Sequence, residues 1–148
     1  MSWNAVILAA GRGRRMGGPK ALLDLGGETL LELQIRALYG ASRIVVVVSQ
    51  ELGESGPETE VVVNERVEEG PYTSIRLGLE ALEDDRPVLI VPVDCPVPPG
   101  APARLLQAAA PGLAWIAPTH AGRRGHPVLL TSAGRTAALG AGSDATLR

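Results

Sequence analysis

The sequence predicts an α/β fold of three layers, in which a mostly parallel sheet lies between helices. Short apolar runs rich in β-branched residues alternate along the chain with segments of helical spacing. Runs that are apolar on both faces are typical of strands in the middle of a parallel sheet. The order strand, helix, strand, strand, helix, strand, helix, strand therefore favours an α/β/α sandwich.

The predicted strands are the continuous apolar segments. They are "AVILAA" (5–10), "RIVVVVS" (43–49), "EVVVN" (60–64) and "PVLIVPVD" (87–94). No internal repeat and no linker separates them, so one domain is predicted over residues 1–148.

The first predicted helix is "TLLELQIRALYG" (29–40). Thr29 suits its N-cap and Gly40 its end. Its apolar stripe consists of Leu30, Leu31, Leu33, Leu38 and Tyr39.

Two more helices follow further along the chain. "TSIRLGLEALEDD" (73–85) places Ile75, Leu79 and Leu82 at helical spacing, and residues 103–110 form the third pattern. The proline-rich "CPVPPGAP" (95–102) between them is predicted to be a rigid loop that leaves a strand end.

Composition excludes several classes of protein. With 148 residues, 45% hydrophobic residues and a formal net charge of −2, the chain is expected to be globular and to bind neither nucleic acid nor membrane. Cys95 is the single cysteine, which excludes an internal disulfide and favours a cytoplasmic setting. The first apolar run ends at Ala10 and is too short for a signal peptide or a membrane span.

The stretch "LAAGRGRRMGGPKALL" (8–23) combines glycines with positive charge after the first predicted strand. It is not a dinucleotide fingerprint, because Met16 stands where the third glycine belongs, and it is not a P-loop, because Pro19 separates Gly18 from Lys20. A glycine-rich turn of this kind lets backbone amides approach an anion, with arginines and Lys20 as counter-charges. A solvated basic loop without a ligand is the alternative.

Three polar features are predicted to meet at one edge of the sheet. The glycine-rich loop follows the first strand, "NERVEEGPYTS" (64–74) follows the third, and Asp94 ends the fourth. Ligands of open α/β sheets bind at the carboxyl ends of the strands, so a site is expected there.

The segment "LAAGRGRRMGGPKALLDLGG" (8–27) resembles the signature of the MobA-like nucleotidyltransferases, which transfer a nucleoside monophosphate from a nucleoside triphosphate. Three further blocks match in order: "EGPYTSIRLGLEAL" (69–82), "VPVDCPVPP" (91–99) and "RGHPVLL" (124–130). The resemblance implies a Rossmann-like nucleotidyltransferase fold. The short gap from Met16 to Lys20 is closer to the molybdenum-cofactor branch than to the sugar-phosphate branch.

The resemblance also assigns catalytic roles. Attack on an α-phosphorus collects negative charge on both sides, so catalysis is mostly positioning and charge stabilisation. Arg15 and Lys20 match the phosphate-contacting positions, and Asp94 matches the aspartate that binds the metal, for which Mg²⁺ is the expected cofactor. Cys95 is not expected to act as a nucleophile, because direct transfer needs no covalent intermediate.

Further positions are implied for the two substrates. In the family, the residues at certain positions contact the base, ribose and phosphates of the nucleotide. The residues of this chain that match those positions are Leu8, Ala9, Ala10, Gly11, Gly13, Gly70 and Ser74. His126 is a candidate for the acceptor, with a loop role as its alternative. Related chains run several tens of residues longer, and "SDATLR" (143–148) resembles a block near their end, which makes Asp144 a second metal ligand or an acceptor-side residue.

The combined prediction is an Mg²⁺-dependent nucleotidyltransferase. The sequence Ala9-Ala10-Gly11, where guanylyl-transferring members often have Ala-Gly-Gly, favours CTP as donor, with GTP as the other candidate. The acceptor is expected to be molybdopterin or a similar phosphorylated small molecule. A sugar- or polyol-phosphate acceptor, and a truncated nucleotide-binding module without transferase activity, are the alternatives; a homodimer is also considered.

Overall fold

The computed structural model describes residues 1–11, 18–50, 52 and 59–141. Within these residues, strands and helices alternate along the chain. The strands are β1 (Asn4–Ala9), β2 (Ile44–Ser49), β3 (Glu60–Asn64), β4 (Val88–Pro92), β5 (Trp115–Ile116), β6 (Thr119–His120), β7 (Arg123–Arg124) and β8 (Val128–Leu130). The helices are α1 (Leu30–Ala37), α2 (Pro71–Ala81), α3 (Ala101–Ala108) and α4 (Ser132–Gly140).

A six-stranded sheet with the order β3-β2-β1-β4-β8-β5 forms the middle layer. Strands β1 to β4 are parallel, and β8 pairs antiparallel with both β4 and β5. Consecutive β-branched residues suit the central strands because both of their faces are covered. The predicted, mostly parallel sheet is confirmed.

Helices cover both faces of the sheet, which gives the three predicted layers. One core lies between the sheet and helices α1 and α3, and contains Ile7, Leu31 and Leu105. The other lies between the sheet and helices α2 and α4, and contains Leu79 and Ala138.

Local sequence signals explain where α1 begins. Thr29 accepts a hydrogen bond from the backbone of Glu32, whose side chain accepts one from Thr29 N–H, so the two residues form a capping box. Leu30, Leu31 and Leu38 are buried as predicted, whereas Tyr39 is 95% exposed, because the helix ends at Ala37 and the chain turns away.

The other helices depart from their predicted bounds. Both α2 and α3 begin two residues earlier than expected, because a proline in the first turn has no N–H to leave unpaired and a φ that suits a helix. Helix α2 ends at Ala81 and not near Asp85, since Asp84 accepts a hydrogen bond from Arg86 N–H in a local turn.

Helix α2 packs closely against the sheet at Gly78. A Cβ at this position would lie 2.4 Å from Val6 Cγ1 and 3.2 Å from Val47 Cγ2. The glycine therefore sets the distance between α2 and strands β1 and β2.

The last third of the described chain contains one helix that the sequence did not predict, α4. Strands β6 and β7 form an exposed hairpin that carries His120, and helix α4 follows β8. Thr131 caps α4 by accepting a hydrogen bond from Gly134 N–H. No helix among the described residues has the length and apolarity needed to cross a membrane.

Candidate functional site

The strand order reverses between β1 and β4, and we call the space beyond the carboxyl ends of these two strands the crevice. The two strands are neighbours, with Leu8 opposite Pro92, and Val93 N–H donates to the Leu8 carbonyl at 3.0 Å just beyond the ladder. From β1 the chain continues towards β2 and β3 on one side, and from β4 it continues towards β8 and β5 on the other. Such a reversal of strand order is where open α/β sheets bind ligands.

Lys20 and Asp94 meet at the mouth of this crevice. Lys20 Nζ donates a hydrogen bond to Asp94 Oδ2 at 3.0 Å, although the residues are 74 positions apart in the chain. The lysine and aspartate side chains are 44% and 45% exposed. The hydrogen bond from Lys20 is the main cause that holds the pKa of Asp94 below its ordinary value, so the carboxylate is ionised and accessible at neutral pH.

A tight turn carries Asp94 out of β4. Cys95 N–H donates to the Pro92 carbonyl at 3.0 Å, which closes the turn around the aspartate. Burial is the main cause that raises the pKa of the half-buried Cys95 thiol, and the neighbouring Asp94 charge adds to it. A thiol with a raised pKa is a poor nucleophile at neutral pH.

Gln34 on helix α1 holds this turn in place by hydrogen bonds to its backbone. The two N–H groups of its amide donate to three carbonyls, with one N–H shared between two acceptors: Cys95 at 2.7 Å, Val93 at 3.1 Å and Pro92 at 3.3 Å. Its amide oxygen accepts from Val97 N–H at 3.3 Å. Sequence reasoning missed this residue, although its spacing from Leu30, Leu31 and Leu38 puts it on the buried face of α1.

A short 3-10 turn, Lys20–Leu22, carries the lysine. Ala21 is buried beneath it, and Leu30 N–H at the start of α1 donates to the Leu23 carbonyl at 2.9 Å. Helix α1 is therefore attached both to the loop of Lys20 and to the turn of Asp94.

The end of β1 forms the floor of the crevice. Leu8 is half-buried, Ala9 and Ala10 are buried, and Gly11 is exposed. Gly13, Arg15 and Asp144, which the sequence placed in the site, lie outside the described residues.

The loop after β3 is organised by Asn64. Its buried amide nitrogen donates to Thr73 Oγ1 at 2.9 Å and to Ser74 Oγ at 2.8 Å, and its oxygen accepts from Arg66 N–H at 2.8 Å. Ser74 is thus buried under the loop. Gly70 adopts a φ of +101°, a region that favours glycine, immediately before α2.

His126, the candidate for the acceptor, and Tyr72 have clear positions. His126 is exposed and precedes β8, which starts opposite Ile90 near the carboxyl end of β4, so it lies at the crevice edge of the sheet. The side chain of Tyr72 turns away from the loop rim and is buried in the α2 and α4 core, where its hydroxyl donates to the Ala138 carbonyl.

A family model described as the MobA-like NTP transferase domain matches residues 5–148. The chain is 36% identical over 136 residues to the molybdenum cofactor guanylyltransferase of Rhodopseudomonas palustris (strain HaA2), an alignment that covers 84% of this chain and 63% of the relative. It is 38% identical over 98 residues to the 2-C-methyl-D-erythritol 4-phosphate cytidylyltransferase of Rhodococcus jostii (strain RHA1), covering 58% of this chain and 41% of that protein.

The fold is shared with solved structures. The crystal structure of Rv0371c from Mycobacterium tuberculosis H37Rv superposes with a TM-score of 0.80 at 24% identity, covering 97% of this chain and 78% of that one. The curated guanylyltransferases are longer, since the chain spans between 46% and 63% of the length of the first three that it matches.

Proposed function

The chain belongs to the MobA-like NTP transferase domain family, and from this premise we propose that it transfers a nucleoside monophosphate to a phosphorylated small molecule and releases pyrophosphate. The observation that carries the proposal is the pair of Lys20 and Asp94 at the crevice between β1 and β4. The two side chains provide one cation and one ionised carboxylate where the strand order reverses.

Lys20 is proposed to neutralise the triphosphate. Its side chain is almost half exposed, and its Nζ forms a hydrogen bond and ion pair with the Asp94 carboxylate. An ammonium has three donors, so it can bind phosphate oxygens while it stays close to the aspartate. Arg15 is proposed as a second cation on the same loop.

The Asp94 carboxylate fits a divalent cation, for which we propose Mg²⁺. It is a hard oxygen donor, it is ionised, and it faces the crevice. No three histidine, cysteine or carboxylate side chains in the described part of the chain form a metal cage. Mg²⁺ typically takes only one or two protein carboxylates beside substrate phosphates. When bound, the cation stabilises the charge that develops on the phosphates. Asp144 is proposed as a second ligand.

The donor nucleotide has two candidates. Curated relatives named molybdenum cofactor guanylyltransferase favour GTP. Ala10, a buried alanine where guanylyl-transferring members often have glycine, favours CTP. We propose that the base lies against residues 8–11 and that Gly70 borders the ribose, with Ser74 buried behind it in its hydrogen bond with Asn64.

The acceptor is proposed to be molybdopterin, because relatives aligned over 84% and 71% of this chain are named molybdenum cofactor guanylyltransferase. His126, exposed at the crevice edge, is the proposed acceptor contact. A polyol phosphate is the second candidate, which the similarity to a methylerythritol phosphate cytidylyltransferase supports.

Pyrophosphate release tests this proposal. Each of the four nucleoside triphosphates is supplied with Mg²⁺ and either molybdopterin or 2-C-methyl-D-erythritol 4-phosphate. We expect release with GTP or CTP that depends on one acceptor, and the preferred base to shift when Ala10 is replaced by glycine. Tight nucleotide binding without release for any donor and acceptor would contradict the proposal and support a nucleotide-binding module instead.

A further inference from the structure

Gln34 is a buried polar side chain to which the proposed function gives no role. It is fully inaccessible, and it lies among the leucines of the α1 core. A buried amide without partners costs stability, so its presence requires the hydrogen bonds that it makes. All four of these bonds go to the backbone of residues 92–97.

The four bonds bracket Asp94. On one side the amide nitrogen contacts the carbonyls of Pro92 and Val93; on the other it contacts the carbonyl of Cys95, and the amide oxygen contacts Val97 N–H. Asp94 is the residue between these anchors. Its side chain is left free to point away from the core, towards Lys20.

The helix that presents Gln34 is itself fixed to the site. Thr29 and Glu32 cap its first turn, and Leu30 N–H binds the carbonyl of Leu23 next to the lysine turn. A rotation of α1 would therefore move both partners of the ion pair. Outer-shell groups commonly hold metal ligands in orientation, and Gln34 would do so through the backbone that carries Asp94.

We propose that Gln34 is a positioning residue that sets the orientation of the Asp94 carboxylate for the divalent cation bound with the nucleotide. This inference rests on the proposed function, in which Asp94 holds the cation. Its consequence is specific: loss of Gln34 weakens the contribution of the metal to nucleotide binding and leaves metal-independent binding unchanged.

Calorimetric titration of the full chain with GTP, and with CTP in parallel, tests the inference in the presence and absence of Mn²⁺. In the unmodified protein we expect Mn²⁺ to lower the dissociation constant of the nucleotide. The ratio of the dissociation constants without and with Mn²⁺ is the Mn²⁺ gain. In Gln34→Met, which keeps the volume and removes every hydrogen bond, we expect this gain to fall about 10- to 100-fold, the usual effect of removing a group that orients a metal ligand. The dissociation constant without Mn²⁺ should change less than about twofold.

Two variants control the experiment. Arg135→Met removes a buried side chain that donates to the Leu79 carbonyl in the second core, and it should leave the Mn²⁺ gain intact. Gln34→Leu also removes the hydrogen bonds of Gln34 and buries no charge, so it should reduce the gain to a similar extent, and it serves if Gln34→Met does not fold.

The outcomes separate the inference from the proposed function. If Asp94→Asn abolishes the Mn²⁺ gain and Gln34→Met does not reduce it, the positioning role is wrong while the metal site stands. If the unmodified protein shows no gain, or Asp94→Asn keeps it, the proposed metal site is wrong and the inference falls with it. An equal loss of affinity with and without Mn²⁺ in Gln34→Met also overturns the positioning role.

Discussion

Replacing Asp94 by asparagine separates a role in catalysis from a role in stability. The substitution keeps the shape of the side chain and removes its charge. The Lys20–Asp94 contact is 3.0 Å long, and both side chains are nearly half exposed. An ion pair of this exposure contributes about 0–1 kcal/mol to folding.

The expected change in stability is therefore small. For a chain of this size, about 1 kcal/mol corresponds to a Tm change of roughly 2–4 °C. Differential scanning fluorimetry of Asp94→Asn should show a decrease no larger than about 4 °C. Asp85→Asn, an exposed carboxylate just before β4 at the opposite edge of the sheet, is the matched control for loss of one surface charge.

The expected change in turnover is large. A bound cation stabilises the charge of the transferring phosphates by several kcal/mol, and each 1.36 kcal/mol is about a factor of ten in rate. Pyrophosphate release by Asp94→Asn should therefore fall at least about 100-fold, whereas Asp85→Asn should remain active. Undiminished release, or a Tm decrease above about 8 °C, would refute the assignment, because Asp94 would then be either dispensable or structural.

Three further substitutions test the fold and the electrostatics of the site. Gly78→Ala should lower the free energy of unfolding by about 1–3 kcal/mol in urea titration, because the added methyl overlaps rigid valines of the sheet. Gly140→Ala, which has open space around its Cβ, should not lower it, and equal effects of the two variants would contradict the packing argument. Thr29→Ala should cost about 1 kcal/mol by removing the helix cap, and serine at this position should restore most of it; no loss would show that the cap is dispensable. Lys20→Met should raise the Asp94 pKa towards its ordinary value in a carboxyl NMR titration, because the hydrogen bond from Lys20 is the main cause of the lowered pKa. The small stability that the lowered pKa gives at neutral pH, and that is lost as pH falls through it, should go with it, and an unmoved pKa would disprove the ion pair in solution.

The architecture was predictable because its signals are local. Continuous β-branched runs have no polar face, so they indicate strands covered on both sides, and four of the observed strands follow them. Thr29 followed by Glu32 gives the start of α1 directly. Helix α4 was missed because "SAGRTAALG" has no stripe of large apolar residues; its position depends on tertiary contacts such as the close approach of Gly134 to Ala114.

The candidate site was predictable only in part. Asp94 and Lys20 were identified because each lies next to a strand end or a glycine-rich turn and matches a position of the family that the sequence resembles. Strand order then brings them together. The role of Gln34 depends on which loop packs against α1, and this is a long-range property that a single helical pattern does not contain. Similarly, the burial of Ser74 depends on Asn64 from a neighbouring strand. A cytoplasmic location and a homodimer stay predictions.

Transfer of label from a nucleoside triphosphate carrying ³²P at the α-phosphate tests the central claim most directly. The unmodified chain is incubated with Mg²⁺, labelled GTP or CTP, and molybdopterin or the polyol phosphate. We predict that the label appears in the acceptor in equal amount to the pyrophosphate released, and that Asp94→Asn prevents both. Label that stays in the triphosphate, or that appears only as free nucleoside monophosphate with no labelled acceptor, would contradict nucleotidyl transfer by this chain.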